Sequence, residues 1–263
     1  MSEVHVNPAR RFGGVARAYG EAAALRIAAA HVCVVGVGGV GSWTVEALAR
    51  SGVGALTLID PDHVAESNIN RQSHALDSTL GRAKVGVLVE RVRDINPGCI
   101  VRTVEEEVTP DNLTGLVSAD FDWVVDCIDR FRAKAALIAH CRRARMRVLT
   151  VGGAGGQVDP TRIRVSDLSR SAQDPLLARV KKLLRRSYGY SRNPGRRFDV
   201  PCVWSDEPGV FPGPDGGVSL QRPAGMETRD LSCAGGMGSV VTVTAGFGLV
   251  AASYVLGRLS RPV

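Results

Sequence analysis

The stretch VCVVGVGGVGSW sets Gly36, Gly38, Gly39 and Gly41 directly after an apolar, β-branched run and before a helical pattern. His31–Val35 predicts a buried strand, and the glycines predict a tight turn into a helix running to about Arg50. Glycines at such a turn let the backbone approach a phosphate at the positive end of the helix. A second predicted strand, Ala55–Ile59, ends at Asp60, whose carboxylate can accept hydrogen bonds from ribose hydroxyls. The pair defines a nucleotide site and no more. NAD, FAD and ATP all fit it, as does tight strand–helix packing without a ligand.

The alternation continues. A helix is predicted over Arg82–Ile95, stopped by Asn96-Pro97-Gly98, then strands at Ile100–Val104 and Asp122–Cys127. A helix over Arg132–Arg145 and a strand at Val148–Val151 come next. Strands alternating with helices of this length imply βαβ units. The fold expected is α/β: a Rossmann-like mixed, largely parallel sheet flanked by helices. After Gly152 the texture changes to a glycine-rich connection and a short strand near Ile163–Val165. The next helix has Asp174 as N-cap and Pro175 at its first position. Residues 206–232, rich in Pro, Gly and Asp, read as loop.

Charge is local. The chain of 263 residues carries a net +7, yet Pro175–Phe198 alone holds eight basic residues and no acidic one. A generic basic coat is thereby excluded. The hydrophobic share of 44% with 22% charged residues belongs to a folded protein with a sizeable core, not a disordered one. Six scattered cysteines without a CxxC pair exclude a small disulfide scaffold and argue against structural zinc. The first residues lack the apolar core of a signal peptide, which makes the cytoplasm the default. Leu231–Gly257 runs 27 residues without a charge, long enough to cross a bilayer. Its many small residues favour a buried C-terminal helix instead, with a dimer interface as a natural setting.

The residues after Asp60 discriminate among nucleotides. Asp62, Asn68, Arg71 and Gln72 lie just beyond the second strand, and Lys84, one of four lysines, opens the next helix. Hydride transfer has no use for Arg and Lys there, whereas cleavage between α- and β-phosphates does, because both cations stabilise charge developing on a triphosphate. Asp126 and Asp129 close the fourth predicted strand, where carboxylates can hold Mg²⁺. Asp129 is the expected ligand, with Asp126 in support.

These residues together resemble the ubiquitin-activating-enzyme-like adenylyltransferase superfamily, which includes ThiF, MoeB and HesA. The resemblance implies one ThiF-type domain over 1–263, with an ATP-binding half at 31–150. The half at 151–263 is then for substrate and dimerisation, with a basic insert at 175–198. It further implies Mg–ATP, carboxylate adenylation, ribose on Asp60, phosphates on Arg71 and Lys84, and magnesium on Asp129. RFGGVARAYG, DCIDRFRAKAALIAHCRR, TVGGAGGQVDPTRIRVSDL, QDPLLARVKKLLRR and CVWSDEPGVFP are similar to the branch that dehydrates, or cyclises, threonylcarbamoyladenosine in tRNA. That branch implies adenylation of the threonine carboxylate beside the anticodon, attack by the carbamoyl group, and release of AMP.

A tRNA substrate gives the basic insert a task. Lys181, Lys182, Arg185, Arg186, Arg192, Arg196 and Arg197 suit a phosphate backbone, with Tyr188 and Tyr190 available to stack on bases. A solvated helix, or a surface for anionic lipid, fits the same residues. The family supplies an arginine across a homodimer interface; Arg11 and Arg17 are the choices, Arg17 preferred. Cys233 is the candidate if a thiol receives the acyl group, although a packing role suits it too. His74 and His140 receive no function. The alternative enzyme is an adenylyltransferase acting on a sulfur-carrier protein; the alternative of another class is a non-catalytic RNA- or membrane-binding module. A cysteine-desulfurase or sulfur-acceptor partner and a bound monovalent cation are left open.

Overall fold

A computed structural model describes residues 7–213, 216–221 and 237–262. Two helices, α1 (Pro8–Tyr19) and α2 (Glu21–Ala29), precede β1 (His31–Val35). Then come α3 (Gly41–Arg50), β2 (Ala55–Ile59), α4 (Lys84–Ile95), β3 (Ile100–Val104) and the short α5 (Leu113–Leu116). β4 (Trp123–Asp126), α6 (Phe131–Arg143), β5 (Val148–Val151), β6 (Ile163–Asp167), α7 (Pro175–Ser187) and β7 (Pro201–Ser205) complete the body. The C-terminal helix is α8 (Val241–Leu259).

Seven strands form one sheet in the order β3-β2-β1-β4-β5-β7-β6. All neighbours are parallel except β6 with β7. The central strands are buried on both faces, which is why β1 and β2 read as continuous apolar runs and not as alternations. Chain connections diverge on either side of β1 and β4, the switch point where open α/β sheets leave a crevice at the strands' C-terminal ends.

One face of the sheet is covered by α3, α4 and α8, the other by α6 and α7. α8 is long and apolar enough to span a membrane by composition, yet Val243, Phe247, Ala251, Ala252 and Val255 are wholly buried in the core. A methyl added at Gly248 would sit 2.5 Å from the Val40 carbonyl and 2.8 Å from Trp43 Cβ. The crossing of α3 and α8 therefore requires glycine there.

Several boundaries differ from expectation by one or two residues, because ends fray. Three differences are larger. α1 and α2 have no counterpart among the expected elements; α1 carries Phe12, Val15 and Tyr19 at helical spacing, but Gly13-Gly14 interrupts the pattern and none of its residues is buried. β7 is likewise unexpected, because its pattern is half buried, between β5 and an antiparallel edge. The 206–232 loop holds a small antiparallel ribbon, Phe211–Pro212 with Val218–Ser219.

Candidate functional site: a glycine cradle at the sheet switch point

The turn after β1 is built from backbone. Gly36 has φ +83°, and a methyl there would lie 3.0 Å from the Cys127 carbonyl carbon, just past β4. A methyl at Gly41 would lie 1.9 Å from Gly36 O, so the turn cannot close with any other residue. Gly38 and Gly39 have a different reason. Added methyls would meet Gln72 Nε2 at 3.7 Å and the Arg71 stem at 3.5 Å, which are ordinary contacts. Their open face is where a ligand can touch the backbone.

Asp60 braces this turn from β2. Its Oδ2 accepts the Val37 N–H at 2.7 Å and its Oδ1 accepts the Asp62 N–H at 2.9 Å. Each oxygen retains acceptor capacity for a hydroxyl. Burial pushes the Asp60 carboxyl above its usual range, and the Lys84 charge opposes that rise.

Lys84 is not a solvated lysine. It is the first residue of α4, 5% exposed, and its Nζ donates to Asp62 Oδ2 at 2.8 Å. Arg71 runs beside the cradle: Trp43 Nε1 donates to its carbonyl at 2.8 Å, and its Nη1 donates to Ser67 O and Asn70 Oδ1. Gln72 is buried, and its Oε1 has no partner among the described residues. A buried acceptor without a donor, beside a glycine, fits a ligand that brings one. Asn68 has a local task as well: its Oδ1 accepts the Ala65 N–H at 3.1 Å and caps the turn leading to Arg71.

The carboxylates after β4 separate. Asp126 is fully buried, and it is ion-paired to Lys134 Nζ at 2.9 Å. Thr150 Oγ1 and the Ile128 N–H also donate to it, at 2.7 and 3.1 Å. It cannot reach a metal, so the expectation that it is a ligand is corrected to a bracing role. Asp129 is exposed and has no bonding partner among the described residues. No group of three metal-ligating side chains occurs among the described residues. A magnesium ion would thus take one carboxylate and draw its other oxygens from phosphates and water, the usual arrangement for that ion. Cys127 is half-buried, and burial pushes its thiol up to about 12, so it is no nucleophile. Lys134 is a bracing residue that the sequence motifs do not point to; its one signal is a lysine inside the apolar face of α6.

Arg17 is not brought to this site. α1 is anchored at the far end of α4, where Arg11 Nη1 donates to the Asp94 and Ile95 carbonyls. Twelve residues of α4 put that point about 18 Å from Lys84. Arg17 is exposed and folds back over Gly13. Cys233 lies outside the described residues.

In the basic insert, Lys182, Arg186, Arg192, Arg196 and Arg197 are exposed on α7 and the segment after it. Lys181 and Arg185 are half-buried: Lys181 donates to Ser171 O, and Arg185 lies 5.1 Å over the Phe198 ring. The tyrosines are a correction. Tyr190 meets Phe198 edge-on at 4.9 Å, and its buried hydroxyl is pushed up to about 12. Tyr188 packs under Arg143 at 5.8 Å. Both belong to the core, because α7 needs apolar cover at its end, and neither is presented to a base.

A parallel sheet that opens at its switch point onto a glycine cradle, with a buried lysine at the mouth, is that of a Rossmann-like nucleotide-binding protein. The ThiF family model matches residues 13–260, and the chain belongs to the ThiF family. It is 49% identical over 250 residues to the tRNA threonylcarbamoyladenosine dehydratase of Escherichia coli, covering 95% of this chain and 93% of that one. It is 46% identical over 256 residues to the dehydratase of Haemophilus influenzae, covering 97% and 95%. Crystal structures of the E. coli dehydratase TcdA in complex with ATP and with AMP match at a TM-score of 0.85 and 47% identity, covering 95% of this chain and 94% of theirs.

Proposed function

We propose that the protein is an ATP-dependent tRNA-modifying enzyme of the cytoplasm that dehydrates threonylcarbamoyladenosine. The observation that carries this reading is a nucleotide cradle of the adenylating type in a chain similar, over nearly its whole length, to dehydratases of that nucleoside. The threonine carboxylate attacks the α-phosphorus of ATP; the bond to the β-phosphate oxygen breaks and pyrophosphate leaves. The carbamoyl group then attacks the acyl carbon, loses a proton, and AMP departs. The attacking group belongs to the same substrate, so no protein nucleophile is needed and orientation is built in.

The chain's own residues hold and neutralise. Backbone N–H groups at Gly38–Gly41 face the phosphates, Asp60 takes the ribose hydroxyls, and Gln72 offers its unpartnered oxygen to a donor on the ligand. Lys84, released from Asp62, and Arg71 meet the charge developing on the leaving pyrophosphate. Magnesium, held by Asp129, would supply charge neutralisation on the phosphate oxygens. Arg17 acts across a homodimer, at the site of a partner copy; the exposure of α1 supports this. Lys182, Arg186, Arg192, Arg196 and Arg197 take the tRNA backbone.

The test is incubation with ATP and tRNA carrying the nucleoside, with nucleoside mass spectrometry as the readout. Stoichiometric AMP and a nucleoside lighter by one water are expected. AMP formation stimulated by a sulfur-carrier protein and not by tRNA would instead select the carrier-activating reading.

A further inference from the structure

At the opposite end of the sheet from the glycine cradle is a cleft of about 410 Å³. Its walls carry Arg142, Arg145, Arg147, Arg258 and Arg261, with Asp199 as the one acidic residue in its lining. All five arginines are exposed. Its floor includes Trp123 and Tyr254, packed edge-on at 5.8 Å, and Arg258 lies 5.1 Å over the Tyr254 ring. The residues come from the end of α6, the start of β5, the start of β7 and the end of α8, far apart in sequence, so no motif announces them.

Helix C-termini favour cations, which accounts for Arg142 and Arg258 in the last turns of α6 and α8. Asp199 pairs with Arg142 at 3.7 Å. Neither explanation reaches Arg147, while Arg145 and Arg261 lie just past the ends of the same helices. The guanidinium groups of Arg145, Arg147 and Arg261 have no partner among the described residues. Arg145 also adopts φ +57°, where Gly or Asn would be the low-cost choice. Three guanidinium groups lining one concavity give it a positive field that favours an anion. Their planar forks match phosphate oxygens.

The cleft is continuous with the basic insert. Asp199 also lies 4.0 Å from Arg197, so the cleft adjoins the end of that segment. A single phosphate would fill little of this stripe; a run of backbone phosphates would cover it. We infer that the arginine cleft at the base of the sheet binds the phosphate backbone of the RNA substrate. The inference rests on the proposed function and extends it. Strands of five residues put the cleft about 17 Å from the cradle, so it grips RNA away from the nucleotide being modified. Such contacts set register and carry no sequence information.

The test uses the full chain and tRNA binding across a salt series. The Arg145→Gln/Arg147→Gln/Arg261→Gln protein is expected to bind tRNA about tenfold more weakly at fixed salt. Its slope of log affinity against log salt should be shallower by about two, as for two or three lost phosphate contacts. KM for tRNA should rise while kcat at saturating tRNA and the ATP Kd hold. The Arg→Lys version of the same three keeps the charge and should recover the salt slope and part of the affinity, which separates charge from folding damage. An unchanged slope and affinity in the Gln protein overturns the inference while leaving the proposed function standing. Failure of the parent protein to bind tRNA removes both.

Discussion

At Lys84 the structure settles a burial that the residue type alone leaves open. A lysine in the first turn of an amphipathic helix is ordinarily solvated, but this one is buried against Asp62 and faces the cradle. Lys84→Ala should lower AMP formation by about 10²–10³-fold, the magnitude typical of removing one charge-stabilising group, with the melting temperature nearly unchanged. The glycines divide in a checkable way. Gly41→Ala should prevent correct closure of the turn and reduce soluble yield, because its methyl would overlap Gly36 O. Gly38→Ala has room in the protein alone, so it should fold normally and lose ATP affinity in a direct titration. Equal ATP affinity in Gly38→Ala would mean that nothing lies against that face. His74 gives a pH dependence. Burial, with the Lys84 and Arg91 charges adding, lowers its pKa from 6.5 to about 4, and both ring nitrogens are unpartnered among the described residues. The unfolded chain therefore binds the proton more tightly. Stability from this residue is present above pH 6.5 and declines as pH falls to about 4, by roughly 3 kcal/mol in all. Urea unfolding of His74→Leu should show a flatter profile over that window and no loss at pH 7.

Among the elements, the bracing of β4 is the most exposed to a single change. Lys134 and Asp126, both without solvent contact, tie α6 to the strand end that presents Asp129. Lys134→Met should cost about 3–5 kcal/mol in urea unfolding, because it leaves a carboxyl buried without its charge partner. Asp126→Val/Lys134→Met should recover part of that loss, since removing both partners strands no charge. A double variant no better than the single one would contradict the pairing. This pair also shows where sequence reading stops. The spacing of Gly36–Gly41, Asp60, Arg71 and Lys84 is local to strand ends and turn residues, and so it is legible. Whether Asp126 or Asp129 faces the crevice depends on Thr150 and Lys134, brought in by β5 and α6 from 24 and 8 residues away. The helices α1 and α2 are obscured for another reason: Gly13-Gly14 in the middle of α1 masks the helical spacing of Phe12, Val15 and Tyr19. Tyr188 and Tyr190 mislead because aromatic residues amid arginines look the same whether they face RNA or the core beneath it.

For the molecule as a whole, charge and topology divide the labour. The crevice end of the sheet carries compact nucleotide chemistry, while the excess positive charge is spread along α7, the segment after it and the base of the sheet. Neutralising Lys182, Arg186, Arg196 and Arg197 should weaken tRNA binding and flatten its salt dependence, leaving ATP titrations unchanged. A loss of ATP affinity in that protein would show that the insert serves the nucleotide instead. The chemistry proposed for the whole molecule is adenylation of a carboxylate on tRNA, after which the substrate closes on itself. Its most direct measurement is a single-turnover reaction of the pure protein with ATP and tRNA bearing threonylcarbamoyladenosine, read by mass spectrometry of the nucleosides. One AMP per tRNA and a nucleoside short of one water are expected. AMP release without any change in the nucleoside, or no AMP until a carrier protein is added, would contradict that chemistry.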